Sequence, residues 1–144
     1  MNLFYILKPK ATVTYLYKTD SIRQGLQKMR QHGYSAIPVL DDNGEYIGTI
    51  SEGDFLWFML QDKKDDLENE TYTVIDIVNE ERNRPVKTDV TMNDLLLRVM
   101  DQNFVPVIDD RNMFIGIITR HDIIKYFYDK AKKEGSVSIE DHSK

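Results

Sequence analysis

The sequence predicts an α/β fold made of two tandem β-α-β-β-α repeats. The first observation is the stretch Gly116–Asp122, which recurs as Gly48–Asp54 at an offset of 68 residues. The second is a wider set with the same offset: Pro38, Val39, Asp41, Asp42, Ile47 and Ile50 return as Pro106, Val107, Asp109, Asp110, Ile115 and Ile118. Because self-similarity at a fixed spacing is the signature of a duplicated unit, we interpret the chain as a tandem duplication.

Length and composition narrow the function classes. The chain has 144 residues, so each half of about 65 residues buries too little surface to be stable alone, and the halves should share a core. The net charge of -5, with no basic face interleaved with aromatic residues, argues against nucleic acid and anionic membrane as partners. Cysteine is missing, which excludes disulfides, thiol catalysis and Cys-ligated zinc. Neither a signal peptide nor a membrane span is evident, and we expect a soluble cytoplasmic protein.

The first repeat opens with an apolar turn and an extended piece. Residues 1–9 are typical of a short helical turn that a proline ends. Thr12–Tyr17, rich in β-branched and aromatic side chains, follows as an extended segment. A helix is then expected to begin at Asp20 or Ser21 and to end at Gly33 as its C-cap.

A hairpin follows this helix. Tyr34–Leu40 and Glu45–Ile50 are predicted strands, joined by a turn at Asp41–Gly44. Pro38 cannot donate a ladder hydrogen bond, so we expect it at a sheet edge or facing a ligand. The acidic turn has contiguous ligands and no closing Glu, so a solvated turn is preferred over a calcium loop, and no metal is assigned.

The next helix, Phe55–Leu60, is apolar nearly all round and is therefore central or part of an interface. Asp62–Glu70 is a charged linker, and Tyr72–Val78 carries an apolar pattern into the second half. We place the first repeat with its N-terminal turn in residues 1–64 and the linker with the second repeat in residues 65–130.

The second repeat follows the same order. Thr91 is the predicted cap of its first helix, with Leu95, Leu96, Val99 and Met100 as the buried set. The strands Phe104–Ile108 and Met113–Ile118 form the second hairpin, and Thr119 begins a final helix that contains the apolar stretch Ile123–Tyr128. Residues 131–144 are expected to form a polar tail, beginning around Lys130.

The duplicated motif carries the chemistry. In each copy a hydroxyl, Ser51 or Thr119, lies at a strand-to-helix junction beside unpaired backbone N–H groups, and a carboxylate, Asp54 or Asp122, follows three residues later. The N–H groups favour phosphate, and an ionised Asp can accept from two ribose hydroxyls. The same pattern is also that of a simple helix cap, but its duplication favours a nucleotide site.

The ordered pattern resembles a tandem pair of cystathionine-β-synthase (CBS) domains of the stand-alone bacterial type. The residues that carry the resemblance are Tyr34–Val39 with Gly48–Asp54, and Phe104–Val107 with Gly116–Asp122. It covers roughly residues 7–128 and implies two repeats packed about a pseudo-twofold axis through their sheets. It also implies two clefts for adenine nucleotides and dimers formed face to face through the helices.

The resemblance assigns residues to each cleft. The primary cleft would be formed by Thr12, Val13, Thr14, Tyr34, Ser35, Ala36, Thr119, Arg120, His121 and Asp122. The secondary cleft would be formed by Ser51, Asp54, Arg84, Pro85, Val86, Phe104 and Val105. We rank the first higher because Arg120 adds a cation for phosphate, whereas the second has Glu52 there, with Arg84 as a partial compensation. The second repeat is also two residues shorter before Pro106, which predicts that Gly33–Ala36 has no full counterpart.

These expectations define a function. We expect a regulatory module that senses AMP, ADP or ATP, requires no cofactor and is not an enzyme, because no Ser, His and Asp constellation suggests hydrolysis. Two alternatives stay open: a dimerisation or partner-regulating module with vestigial clefts, and a sensor of S-adenosylmethionine or cyclic di-AMP. The apolar helices predict a homodimer, and a regulated partner protein is expected without being identified.

Overall fold

A computed structural model describes residues 2–135. Its strands are β1 (Lys8–Pro9), β2 (Leu16–Tyr17), β3 (Ala36–Leu40), β4 (Tyr46–Ser51), β5 (Val86–Lys87), β6 (Phe104–Ile108) and β7 (Phe114–Thr119). Its helices are α1 (Ile22–His32), α2 (Glu52–Phe58), α3 (Asp66–Asn69), α4 (Met92–Val99) and α5 (Arg120–Lys133). No helix in residues 2–135 is both long enough and apolar enough to span a bilayer.

The strands form two sheets with matching order and register. One sheet has the order β2-β3-β4, and the other has β1-β7-β6-β5. Pro38 lies opposite Thr49 in the first hairpin, and Pro106 lies opposite Ile117 in the second, at the same 68-residue offset. The duplicated α/β architecture predicted from the sequence is therefore confirmed.

Reciprocal hydrogen bonds join the two hairpins. The backbone N–H of Tyr46 donates to Asn112 O at 3.3 Å, and that of Phe114 donates to Gly44 O at 2.9 Å. Gly44 and Asn112 occupy equivalent positions and both have left-handed φ values, 90° and 65°. Glycine adopts this conformation readily and asparagine tolerates it, so both hairpins can turn in the same way. The exchange of equivalent bonds gives the repeats their pseudo-twofold relationship.

Each repeat completes the core of the other. Leu3, which the sequence analysis grouped with the first repeat, is buried in the second repeat's core, and β1 pairs with β7. Val74, from the segment before the second repeat, is buried in the core of the first. Gly116 permits the first of these contacts, because a Cβ there would lie 2.2 Å from Lys8 O. The single shared core expected from the short length of each half is therefore not found: residues 2–135 form two separate core clusters, and each depends on a segment that crosses to it.

The predicted ends of α1 are confirmed. Ser21 accepts from Gln24 N in a capping box, and Gly33 ends the helix in the left-handed conformation. The predicted cap of α4 is also confirmed, since Thr91 accepts from Asp94 N at 3.1 Å.

Other details differ from the sequence-based expectations. Leu96 in α4 and Met100 directly after it were expected to be buried but are 41% and 72% exposed, because only the helix face that contains Leu95 packs on the sheet. The charged linker contains the short helix α3, whose Asp66 is buried and accepts from Thr71 N at 2.6 Å. The last helix continues through Lys133. Lysines in its last turn stabilise it, because their positive charges lie near the negative end of the helix dipole. The rest of the predicted tail, residues 136–144, lies outside the described residues.

Candidate functional site

A cavity of about 710 Å³ is lined by both repeats. Its lining residues are Lys8, Thr12, Val13, Thr14, Tyr34, Ser35, Ala36, Ile37, Pro38, Ser51, Glu52, Gly53, Arg82, Asn83, Asp101, Asn103, Phe104, Ile117 and Thr119. This volume lies within the range of pockets that bind small molecules and cofactors. Pro38 faces the cavity, as one of the two sequence-based options predicted. Its position also agrees with the other option, a sheet edge, because β2 pairs only with Val39 and Leu40 and leaves that side of β3 unpaired at Pro38.

Two equivalent strand-to-helix junctions, one from each repeat, form part of the cavity wall. Ser51 ends β4 and caps α2, and Thr119 ends β7 and caps α5. Next to each cap, the first helical N–H donates to the segment before the proline-containing strand: Glu52 N to Ser35 O at 3.0 Å, and Arg120 N to Asn103 O at 2.9 Å. The segment before the proline-containing strand is thereby fixed against the start of the following helix in both repeats.

The shorter second repeat does not lose its pocket segment. Helix α1 has 11 residues and α4 has 8, so the shortening falls within the helix. Residues 33–35 connect α1 to β3, and residues 100–103 connect α4 to β6. The expectation that Gly33–Ala36 lacks a counterpart was therefore wrong, because Asp101, Asn103 and Phe104 line the cavity on the other side.

The residues of the primary cleft are only partly brought together. Thr12, Val13, Thr14, Tyr34, Ser35, Ala36 and Thr119 line the cavity, whereas Arg120, His121 and Asp122 do not. The Arg120 Nε donates to Val99 O at 2.7 Å, at the carboxyl end of α4. The expectation that Arg120 faces a phosphate is corrected by this contact, which directs its guanidinium to an unpaired helix-end carbonyl.

Asp122 borders a neighbouring groove of about 380 Å³. Lys8 lines both this groove and the cavity, and its Nζ lies 3.8 Å from Asp122 Oδ2. Asp122 N donates to Thr119 Oγ1 at 3.1 Å. Within residues 2–135, no donor makes a hydrogen bond to the Asp122 carboxylate, so its lone pairs are open to a ligand.

The secondary cleft is also incomplete. Ser51 and Phe104 line the cavity, and Asp54, Arg84, Pro85, Val86 and Val105 do not. Val86 and Val105 are buried in the core of the second repeat. Arg84 lies 3.6 Å from Glu81, and 67% of its side chain is exposed. Arg84 therefore does not supply the cation that was expected to offset Glu52.

Arg82 reaches the cleft instead. Its Nη1 donates to Asp54 Oδ2, and its Nη2 donates to Asp54 Oδ1 at 3.3 Å. The same Oδ2 also accepts from Ser51 N at 2.9 Å, while Ser51 Oγ accepts from Asp54 N at 3.3 Å. This first copy of the motif is thus a full capping box closed by an arginine.

The backbone around Arg82 is held from both repeats. The Tyr46 hydroxyl donates to Asn83 O at 2.9 Å and lies 2.6 Å from Thr49 Oγ1. The Asn83 Nδ2 donates to Phe104 O at 2.9 Å. Burial raises the pKa of the Tyr46 phenol above its ordinary value, so this hydroxyl keeps its proton further into the alkaline range.

Sequence reasoning did not identify Lys8, Arg82 or Asn83 as site residues. Lys8 lies in the two-residue strand β1, and Arg82 and Asn83 lie in the segment before β5, so none has a periodic pattern and no feature of the duplicated motif points to them. The one sequence feature that could have suggested Lys8 and Arg82 is that both are cations in segments that flank a repeat. Their assignment required the three-dimensional contacts of Lys8 with Asp122 and of Arg82 with Asp54.

The family model described as CBS domain matches residues 8–61 and 74–129. Among solved structures, the chain resembles CbpB in complex with c-di-AMP, with 27% identity, a TM-score of 0.85, and coverage of 94% of this chain and 89% of that one. A CBS domain protein from Streptococcus pneumoniae has 26% identity and a TM-score of 0.79, with coverage of 88% and 86%.

Relatives in Methanocaldococcus jannaschii also match. The uncharacterized protein MJ1426 is 25% identical over 139 residues, which cover 76% of this chain and 83% of the relative. The uncharacterized protein MJ1225 is 27% identical over 90% of this chain, and the chain spans 50% of that relative's length.

Proposed function

The chain belongs to the CBS-domain family, and on that premise we propose that it is a regulatory module that binds an adenine nucleotide between its repeats. The observation that carries the proposal is that one cavity is lined by both repeats, through the segments before the proline-containing strands and through the capping hydroxyls Ser51 and Thr119. Such a site combines apolar walls with a few convergent polar groups, as small-molecule sites do. The proposed activity is binding without catalysis.

The binding mode follows from the open carboxylate. We place the base against Thr12–Thr14 and Tyr34–Ala36, with the ribose hydroxyls on Asp122. The Thr119 end of α5 then approaches the phosphate, where the positive end of the dipole of a 14-residue helix favours an anion. Of the two cations among the described lining residues, Lys8 is the one that remains available, because 51% of its side chain is exposed and it makes one long ion pair, whereas Arg82 is paired with Asp54.

A second candidate ligand is cyclic di-AMP. The cavity joins the equivalent walls of the two repeats, which suits a ligand that itself contains two adenylate halves. The similar protein CbpB was solved in complex with c-di-AMP. This candidate differs from a mononucleotide because it would occupy both halves of the cavity at once.

We also propose a homodimer formed through helices. Exposed apolar side chains occur on both terminal helices of the repeats: Leu56 at 58%, Trp57 at 68%, Ile124 at 57% and Tyr128 at 48%. Apolar surface of this kind is typical of an interface. A dimer would let nucleotide binding alter a surface that a regulated protein contacts.

Calorimetry with AMP, ADP, ATP, cyclic di-AMP and S-adenosylmethionine tests the proposal, with GMP as the control for the base. A ligand at a hundredfold over its Kd also raises unfolding free energy by about 2.7 kcal/mol, which thermal unfolding detects. Saturable binding of an adenine compound supports the proposal. Failure of all five to bind would favour the module with vestigial clefts.

A further inference from the structure

Arg82 donates hydrogen bonds to Asp54, the carboxylate of the secondary cleft. Its side chain lines the cavity, whereas its partner Asp54 does not. Both terminal nitrogens donate to the two oxygens of Asp54, and one of those oxygens also accepts from Ser51 N. A ribose that approached Asp54 from the cavity would therefore meet a guanidinium first.

The equivalent Asp122 is screened much less. Lys8 approaches it at 3.8 Å without a hydrogen bond, and 51% of the Lys8 side chain is exposed. The Arg82 and Asp54 side chains are 32% and 16% exposed. A two-point guanidinium–carboxylate pair is stronger than a single exposed lysine contact. The same motif is thus closed in one repeat and accessible in the other.

The position of Arg82 is fixed by its backbone. The neighbouring Asn83 is buried at 9% exposure and has a left-handed φ of 55°. Its carbonyl accepts from Tyr46 of the first repeat, and its side chain donates to Phe104 O of the second. These anchors hold the guanidinium against Asp54 at little additional conformational cost, because the backbone is ordered by other contacts.

We propose that Arg82 is a built-in occupant of the second cleft and limits the chain to one mononucleotide, bound at the Asp122 cleft. This inference rests on the proposed function, since both concern the same cavity. Arg82 is then the residue that decides the number of mononucleotides per chain. Removing it would uncover Asp54 as a second ribose acceptor.

AMP titration of Arg82→Gln by calorimetry tests the inference directly. The natural chain should bind one AMP, and Arg82→Gln should bind two. Arg84→Gln is the matched control. It removes the same charge only two residues along the chain, but the Arg84 side chain lies outside the cavity. It should still bind one AMP, and Arg82→Gln combined with Asp54→Ala should return to one.

The other outcomes overturn the inference. One AMP bound by both the natural chain and Arg82→Gln would show that Arg82 does not limit binding. Weaker AMP binding by Arg82→Gln would show that Arg82 contacts the ligand phosphate. Two AMP molecules on the natural chain would show that the cleft is already open. Absence of AMP binding by both proteins is a different result, because it rejects AMP as the ligand of the proposed function and the inference together.

Modification by phenylglyoxal, read by mass spectrometry, adds a test without nucleotide. Arg82 should react several-fold more slowly than Arg84 in the natural chain, and Asp54→Asn should remove that difference. Equal rates in the natural chain would overturn the inference. If Arg82→Gln fails to fold, Arg82→Lys replaces it, since lysine keeps the charge but cannot make the two-point pair. It should then bind the second AMP, more weakly than the first, and a single AMP on Arg82→Lys would overturn the inference.

Discussion

Tyr46 and Phe114 stack on one another across the pseudo-twofold relationship, with ring centroids 6.2 Å apart and planes inclined by 24°. They are equivalent positions of the two repeats, separated by the 68-residue offset. Their backbones make the reciprocal bonds to Asn112 and Gly44 described above. The stack therefore joins the hairpins from which the two walls of the cavity extend.

Replacement of Phe114 with Ala should destabilise the whole chain. Phe114 is only 2% exposed, and a buried Phe→Ala change costs about 3–5 kcal/mol. Urea unfolding followed by circular dichroism should show one transition at a lower midpoint. The control is Phe4→Ala, at a side chain that is 60% exposed. An equal loss of unfolding free energy in both variants would contradict the role of Phe114 in joining the two hairpins.

Tyr46→Phe should keep the stack but lose the hydroxyl bonds. We expect a loss of about 1–2 kcal/mol, because Asn83 O is left without its partner. The pKa of Tyr46 is raised in the folded state, so its contribution is complete below the ordinary value of 10.0 and is lost as pH rises above it. Unfolding free energies measured between pH 8 and 11 should fall more steeply for the natural chain than for the variant. Parallel slopes would contradict this assignment.

Asp122→Ala should weaken AMP by about 1.5–3 kcal/mol, the range for hydrogen bonds to a charged group. The matched control is Asp54→Ala at the equivalent position, whose carboxylate Arg82 already engages. It should keep the strong site. Titration calorimetry with circular dichroism as the folding check gives the comparison. Loss of AMP binding in Asp54→Ala alone would reverse the ranking of the clefts.

Lys8→Gln should weaken AMP more than adenosine, because Lys8 is the cation that lines the cavity beside Asp122. A lost charge-assisted bond costs about 1–3 kcal/mol. Arg120→Ala should instead leave the AMP-to-adenosine ratio unchanged, since its Nε is engaged by Val99 O. Calorimetry with both ligands measures these ratios. A changed ratio in Arg120→Ala alone would restore Arg120 as the phosphate contact.

Trp57→Glu should disrupt the proposed dimer. Trp57 is the single tryptophan of the chain and is 68% exposed on α2. Light scattering should report a dimer for the natural chain at micromolar concentration and a monomer for the variant. Dilution of the natural chain should also move the tryptophan emission to longer wavelength as the ring meets water. A monomer that scatters as 16.9 kDa before dilution would refute the dimer.

The sequence by itself determined the duplicated architecture. The 68-residue offset is visible by comparing the chain with itself. The acidic turns and the capping residues act within a few residues of the chain; the caps are Ser21, Ser51, Thr91 and Thr119. Local hydrogen bonding and side-chain periodicity decide such features, so they can be predicted without a fold. The hydroxyl residues of both motifs were found in this way.

Only the tertiary structure decided how the two motif copies differ. Asp54 and Asp122 occupy equivalent sequence positions, yet Arg82 engages the first while the second makes one long contact with Lys8. Arg82 is 28 residues beyond Asp54, and Lys8 reaches Asp122 from the opposite end of the chain. These pairings depend on how the connecting segments cross between the repeats, because electrostatic and hydrogen-bond contacts depend on distance in space and not on spacing along the chain.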